Sequence, residues 1–581
     1  MKVCYEARGG RKYAYRCTSK REPGKKYPTT VKEYLGVVDP ETGNIIPKKV
    51  QSEAFNFTLK DRGFRTKDYG NVLLIKHVAD QLGIGEDLDF SLGTASKGTL
   101  ALAMAQAMAP SPFMDTQYVI GGSYIPEIVG VTGLDFSSQR LSDMTKVLGE
   151  ATGCMEDLFA LRAKRCSDPT FLYDITSQST YSDMEGQAEW GHNRDGEPLK
   201  QMNLGLLTDK EGIPVAFDLF PGSISDISTL KRLVGDMKRR SPGCRLVADR
   251  GFESAANIAA MMENGIDFIV PCKINTKAVK SLVTDFSKDV MRPEHDRMHN
   301  GHVYSVQERM LGIVEEDGAF SYVTDSDPGF ADAEHRVKAY VCFDSKKRSD
   351  DEQELKSSLM EVVKELDGKK ARDPKERFSK RAGWMAKYLE MEVDGDGAMR
   401  ISYRQNAMTF FRNRAGMFVM LTPDADWETV MTSYDARNCV EMAFDILKTE
   451  LDGRRMRTGD PVRARGRFLV KFIALMIRVR MQNVISAGGI RDLTVDNALM
   501  SASNYKIIDD RGLKVRTELP KRVRQIFELF GVEDPEDINS ADAQERCSSK
   551  SGNFGLEVSL LLRTMDSAVV AHSSAFFLDL V

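Results

Sequence analysis

Apolar positions along the chain switch between a spacing of two and a spacing of three to four, and the switches divide it into segments. Residues 1–65 lean towards strands: R-G-G-R-K-Y-A-Y-R and K-R-E-P-G-K-K-Y-P alternate with turn signals, and D-P-E-T-G-N marks a tight turn. A small, basic, β-rich N-terminal module is expected there. From 70 to 165 the pattern turns helical, through V-L-L-I-K-H-V-A-D-Q-L-G and T-L-A-L-A-M-A-Q-A-M-A. D-F-S-S-Q-R-L-S-D-M-T-K-V-L-G reads as a capped helix opening at Ser137 or Ser138.

Residues 166–275 carry the clearest rhythm. T-F-L-Y-D-I-T predicts a strand ending in Asp174. L-K-Q-M-N-L-G-L-L-T-D and I-P-V-A-F-D-L-F-P-G flank the turn K-E-G as a hairpin. S-D-I-S-T-L-K-R-L-V-G-D-M-K-R-R is a helix, C-R-L-V-A-D-R-G a strand ending in Asp249, S-A-A-N-I-A-A-M-M-E-N-G a helix and D-F-I-V-P-C-K-I a strand. This order predicts an α/β fold, a mixed sheet flanked by helices. Residues 276–400 interrupt it with charge-rich sequence and one long helix across D-D-E-Q-E-L-K-S-S-L-M-E-V-V-K-E-L, which is read as an insertion domain. The sheet pattern resumes over 401–485 with the strand A-G-M-F-V-M-L-T and a helix over Tyr434–Lys448. Residues 486–581 contain one clear helix near R-V-R-Q-I-F-E-L-F, and no function is assigned to them.

Composition narrows the classes. Of 581 residues, 42% are hydrophobic and 29% charged, with a net charge of −4, so nothing global marks a nucleic-acid binder and any such role rests on local patches. The nine cysteines contain no C-x-x-C pair, which excludes a zinc ribbon and fits a reducing cytoplasm. M-K-V-C-Y-E-A-R lacks the apolar core of a secretory signal. The most apolar helix, F-L-V-K-F-I-A-L-M-I-R-V-R-M from Phe468, carries Lys471 and Arg478 and is expected to be buried with a basic edge, with no membrane association.

The chemistry gathers at three places. Asp174 and Asp249 each close an apolar strand, where sites are built in open sheets. Carboxylates brought together there repel unless a cation neutralises them, and oxygen ligands without His or Cys select Mg²⁺ or Mn²⁺. On the expected helix, Tyr434, Arg437, Glu441 and Lys448 fall within roughly a 60° arc beside an apolar stripe of Val440, Phe444 and Leu447. Glu441 offers a third carboxylate among cations, with Asp445, one turn on, as its rival. Arg250 follows Asp249 and is read as a phosphate contact or an ion-pair partner. The run from Gly453 to Phe472, opening with Arg454 and Arg455, holds many cations and only Asp460 as an acid, and reads as a DNA track or a solvated basic loop. His295, His299 and His302 do not make a zinc site, because Asn300-Gly301 breaks a helix between them and no fourth ligand is near.

At these residues the sequence resembles a DDE-type insertion-sequence transposase, of the group whose catalytic helix carries Y-(2)-R-(3)-E-(6)-K, here Tyr434, Arg437, Glu441 and Lys448. The resemblance extends to Y-D-I-T at Asp174, G-L-L-T-D-K-E-G-I-P-V, F-P-G-S-I-S-D and V-A-D-R-G-F, and to the long insertion before the Glu, over roughly residues 165–480. Many relatives have D-G-T where this chain has D-I-T. The resemblance implies a ribonuclease-H-like catalytic domain with Asp174, Asp249 and Glu441 as a triad for two Mg²⁺ or Mn²⁺ ions. It implies phosphate contacts from Tyr434, Arg437 and Lys448, terminal inverted repeats and target DNA as partners, and a homodimer on DNA. Nicking at a transposon end and joining of the 3′-OH to target DNA is the implied activity, in the cytoplasm of a prokaryote. The alternatives are a catalytically silent DNA-binding relative and a ribonuclease-H-like nuclease without strand transfer.

Overall fold

The computed structural model describes residues 2–20, 27–38, 45–47, 65–184, 186–191, 193–224, 241–510 and 513–534, with 40, 43 and 229 besides. They fall into two compact units. The first takes in the described residues up to 67 together with 505–518. Its strands β1 (Lys2–Arg8), β2 (Arg11–Lys20), β3 (Thr29–Val38) and β4 (Ile45–Pro47) form an antiparallel sheet in sequence order. Alternation places Tyr13 and Tyr15 on one face, where both rings meet Tyr34 at 6.1 and 5.4 Å. The turns expected at K-R-E-P-G-K-K-Y-P and D-P-E-T-G-N lie largely outside the described residues. A further strand, β5 (Arg65–Asp68), belongs to a separate three-stranded sheet.

The second unit begins with the expected helices, among them Gly70–Gln81, Ile84–Leu92, Ser96–Met108, Ser138–Glu150 and Thr152–Arg165. Ser96–Met108 is apolar on all sides because almost all of it is buried. The helix from Ser138 crosses the 28-residue helix Pro461–Gly488 so closely that a Cβ on Gly149 or Gly466 would lie 1.9 Å from a carbonyl of the other helix. That long helix is buried, as its composition requires. The basic edge expected of it is not there: Arg478 is fully enclosed, bridging Glu450 and Asp496. Lys471 turns inward to the Asp452 carbonyl at 2.8 Å. No helix among the described residues is long and apolar enough to cross a membrane.

The sheet is mixed and flanked by helices, the ribonuclease-H-like arrangement. Its first five strands are β6 (Thr170–Thr180), β7 (Lys200–Thr208), β8 (Pro214–Pro221), β9 (Arg245–Ala248) and β10 (Asp267–Cys272), in spatial order β8-β7-β6-β9-β10. Strands β6, β7 and β8 are antiparallel neighbours, and β9 is parallel to both β6 and β10. The helix expected after β8 lies almost wholly outside the described residues.

Within 276–400, much of the chain extends the same sheet. Strands β11 (Asp296–His299), β12 (His302–Glu316), β13 (Ala319–Thr324) and β14 (His335–Phe343) continue it, and with β17 below it has ten strands. The helices Ser345–Leu366 and Pro374–Ala382 and the ribbon of β15 (Leu389–Val393) and β16 (Met399–Tyr403) share a separate core, with Leu355, Leu359, Val362, Tyr388, Leu389 and Met399 inside it. The chain re-enters the sheet through β17 (Met417–Thr422), between β14 and β10. Strands β18 (Lys506–Asp510) and β19 (Leu513–Arg516) complete the three-stranded sheet of the first unit. The expected helix at Lys521–Phe530 is present in the second.

Candidate active site

Two carboxylates arrive through strand register. Strand β6 pairs with β9 from Thr170↔Arg245 to Tyr173↔Ala248. The next residues in that register are Asp174 and Asp249. The expectation that the first strand ends at Asp174 is corrected: β6 runs on to Thr180, because β7 stays bonded to it along its whole length. What ends at Asp174 is the pairing with the parallel neighbour, which leaves both carboxylates at the same end of β6 and β9's shared register.

The turn after Asp249 is held from below. Phe252 is buried against Tyr173, with ring centres 5.1 Å apart, and its amide donates to the Asp249 carbonyl at 3.0 Å. Glu253 is buried, accepting from the Lys273 amide at 3.1 Å and the Tyr322 hydroxyl at 2.8 Å. Tyr322 comes from β13, so the strands added to the sheet help to fix the Asp249 turn.

Glu441 comes from a helix packed on β6 and β7. The single helix expected over Tyr434–Lys448 is corrected to three pieces. Trp427–Asp435 is one helix, capped by the Asp426 carboxylate accepting from the Thr429 amide at 2.7 Å. A tight turn follows at Ala436–Arg437, where the amides of Arg437, Cys439 and Val440 each donate three residues back. Asn438–Asp445 is helical again, and Ile446–Glu450 widens into a π-helix. Tyr434, Glu441 and Lys448 therefore lie on three different helical pieces rather than along one continuous α-helix. The apolar side survives: Val440, Phe444 and Leu447 are all buried.

Arg437 organises the charges. Its Nη1 lies 2.9 Å from Asp249 Oδ1 and its Nη2 lies 2.8 Å from Glu441 Oε1, and the guanidinium sits 5.5 Å from the centre of the Tyr434 ring. Burial pushes the Asp174 carboxyl up to about 6, with the Asp249 charge adding to the rise. The Ile175 amide, at 2.7 Å, and the charges of Arg194 and Arg437 pull it the other way. Burial also raises the Tyr434 phenol. Asp445 is exposed, and its carboxylate pairs with no cation among the described residues, so Glu441 is the helical carboxylate that joins Asp249.

The remaining predicted residues divide. Arg250 is exposed and forms no ion pair among the described residues. Lys448 is bound to Asp195, with Nζ 2.8 and 3.1 Å from its two carboxylate oxygens. Arg455 reaches Glu197 and the Tyr181 hydroxyl, each at 2.7 Å, and Arg454 lies 3.9 Å from Glu197. Those partners sit on the connection between β6 and β7, which folds back over β6: Asn193 Nδ2 donates to Ser179 Oγ at 3.1 Å and the Arg194 amide to Ser177 Oγ at 3.4 Å. Arg194, Asp195 and Glu197 escape sequence reasoning. Their signal is weak, a polar R-D-G-E turn joining two apolar strands. His299 is buried and meets Asp435 at 2.7 Å, and His302 meets Asp344 at 2.9 Å.

Among the described residues no three His, Cys, Asp or Glu side chains converge as a metal cage. The donor set nonetheless fits a hard divalent cation. It is all carboxylate oxygen, and Arg437 places positive charge between Asp249 and Glu441. Asp174 gives a direct check. A carboxyl whose pKa is about 6 in the fold, against 3.8 ordinarily, adds stability below about pH 4 and loses it as pH rises through 6. Asp174→Asn keeps an acceptor for the Ile175 amide and removes the buried charge. It is expected to stabilise metal-free protein at pH 8 by up to about 3 kcal/mol and to lose that advantage towards pH 4. Thermal unfolding in chelator across this range checks it; an offset independent of pH would contradict the burial of that charge.

A family model described as a transposase DDE domain matches residues 165–477. No curated protein matches the chain.

Proposed function

The chain belongs to the transposase DDE domain family, whose model covers more than half of its length, and on that premise we propose that it cleaves DNA at transposon ends and joins the freed 3′-OH to target DNA. The observation that carries this reading is the convergence of Asp249 and Glu441 on Arg437, beside Asp174. The Y-(2)-R-(3)-E-(6)-K residues supply two of those partners and support placement in that group.

Asp174, Asp249 and Glu441 would hold Mg²⁺ or Mn²⁺, two ions in the full site, which supply Lewis-acid charge at phosphorus and lower the pKa of a bound water. The residues themselves position and neutralise. Asp249 and Glu441 fix the guanidinium of Arg437, a group whose planar donors would suit a phosphate oxygen if those carboxylates took a cation instead. Tyr434 lies beside that guanidinium, the exposed Arg250 next to Asp249 would add positive charge for a phosphate, and Lys448 would do so on exchanging Asp195 for one. In the first step water attacks phosphorus and the 3′-oxygen leaves with a proton. In the second, that 3′-OH attacks a target phosphodiester, one P–O bond forming as another breaks. The protein contributes alignment and charge rather than a covalent intermediate. Moving a transposon requires that its two ends be brought together, and a homodimer acting on DNA in a prokaryotic cytoplasm is part of this reading.

The test is the chain's own DNA. Duplexes built from the sequences flanking its gene are incubated with the protein and Mg²⁺ alongside a supercoiled target. Free 3′-OH ends and joined products are expected. Cleavage without joining would leave a nuclease, and neither product would refute the proposal.

A further inference from the structure

Strands β11 and β12 are joined by a turn that the sequence spells out. Strand β11 closes at His299 and β12 opens at His302, so only Asn300 and Gly301 reverse the chain. Both have left-handed backbone, with φ of 49° and 75°. A two-residue type I′ turn needs positive φ at both positions, and Asn-Gly is the pair that adopts it most readily. In the ladder His299 lies opposite His302 and Met298 opposite Val303. Alternation therefore sends the two histidines to one face and the two exposed apolar side chains to the other.

The histidine face meets the segment that carries Arg437. His299 is buried with Nε2 2.7 Å from Asp435 Oδ2, and Asn300 Nδ2 donates to the same oxygen at 2.9 Å. Asp435 is the last residue of the helix Trp427–Asp435, where a carboxylate faces the negative end of the helix dipole. The groups that satisfy it come from 136 and 135 residues earlier in the chain. Arg437 follows two residues on, after the turn in which the Ala436 amide donates to the Thr432 carbonyl at 3.3 Å and the Arg437 amide to Tyr434 at 3.0 Å. Arg437 is thus held from two directions. Asp249 and Glu441 fix its guanidinium, and the clamp on Asp435 fixes the backbone from which it departs.

The clamp has a fixed base. His302 Nε2 lies 2.9 Å from Asp344 Oδ1, and Asp344 caps the helix Ser345–Leu366 by accepting from the Lys346 amide at 2.8 Å. The His302 ring packs edge-on to Tyr304, with centres 4.8 Å apart, and Tyr304 packs edge-on to Trp427 at 5.8 Å. Trp427 opens the helix that Asp435 closes, so both ends of that helix rest on β11 and β12.

We infer that His299 is a positioning residue for Arg437: with Asn300 it anchors Asp435, and through Asp435 the turn that sets the guanidinium between Asp249 and Glu441. The inference rests on the proposed cleavage of DNA, in which Arg437 holds a phosphate oxygen. Among the described residues the acid that His299 meets is Asp435 and none of the three carboxylates, so its effect on the reaction passes through Arg437.

The test is a double-mutant cycle of His299→Ala and Arg437→Ala in the full chain. Single-turnover cleavage of an end-labelled duplex carrying the chain's own terminal sequence is followed with protein and Mg²⁺ in excess, with duplex affinity and melting temperature measured alongside. His299→Ala alone is expected to slow cleavage about ten- to thirtyfold, with duplex affinity within about threefold of wild type. In the Arg437→Ala background the same substitution should change the rate less than about twofold, because the group it positions is gone. His299→Gln returns an N–H donor to Asp435 and should recover most of the rate. If His299→Ala melts far below wild type, Asp435→Ala carries the same cycle with the same expectations, since that side chain is 46% exposed and its removal opens no cavity. A loss that multiplies with that of Arg437→Ala would mark a merely structural histidine. That result, or a His299→Ala protein cleaving at the wild-type rate, would overturn the inference and leave the proposed function standing. A wild-type chain that leaves the duplex intact would refute both.

Discussion

Replacing Asp249 with alanine is expected to reduce metal-dependent DNA cleavage by about a thousandfold or more while DNA binding persists. Asp249 lies one residue beyond β9, with its side chain 41% exposed and Arg437 as its ion-pair partner, so its removal creates no cavity. The surrounding turn is held by Phe252 and Glu253. What disappears is one carboxylate of a set that acts together, and effects within such a set do not add. Glu441→Gln should therefore be about as damaging alone as in combination with Asp249→Ala. Asp445→Asn serves as the discriminating control, because Asp445 lies on the same helix but outside the Arg437 contacts; its rate should stay near wild type. Cleavage of an end-labelled duplex carrying the chain's own terminal sequence, with filter binding in parallel, separates the outcomes. Full activity in Asp249→Ala would remove the assignment, and a collapse in Asp445→Asn would reassign the third carboxylate.

How much of this site could be read in advance depends on the range of the interaction. The order of strands and the two aspartates are legible because they follow from local alternation and from residues that interrupt apolar runs. Glu441 is legible through its helical neighbours, though its helix is not the continuous one that periodicity implies. Val440, Phe444 and Leu447 keep their face buried whether the backbone is α-helical or widened, so a pattern of apolar positions does not distinguish a broken helix from an intact one. The limit is sharper for charge. The run after Gly453 and the segment after Lys369 look equally basic, but each cation of the first meets an acid or a carbonyl, two of them on the distant Glu197, whereas in the second only Arg381 forms an ion pair among the described residues. Glu197 lies 258 residues before Arg455. Sequence shows which charges exist, and tertiary pairing decides which remain available to a ligand.

The same long-range logic sets the largest stability effect expected outside the site. Asp87, with a side chain 3% exposed, accepts from Arg162 at 3.1 Å and from Arg165 at 2.8 Å. Arg162 is itself 7% exposed and also donates to the Leu82 carbonyl at 2.5 Å. The cluster ties the helix Ile84–Leu92 to Thr152–Arg165, and the chain passes from the latter directly into β6 and Asp174. Asp87→Ala would leave Arg162 enclosed with no counter-charge, while Arg165 keeps Glu86 at 2.8 Å. The expected loss is about 3–5 kcal/mol, seen as a fall in melting temperature on the order of 3–5 °C in a unit of this size. A buried ion pair is costly to break but is not by itself a source of stability, because both charges gave up water to form it. Asp87→Ala combined with Arg162→Met should therefore be more stable than Asp87→Ala alone. Calorimetry on the single and double variants tests this. A double variant weaker than the single one would mean that Arg162 acts chiefly through the Leu82 carbonyl, and a single variant melting with wild type would show that water already reaches Asp87.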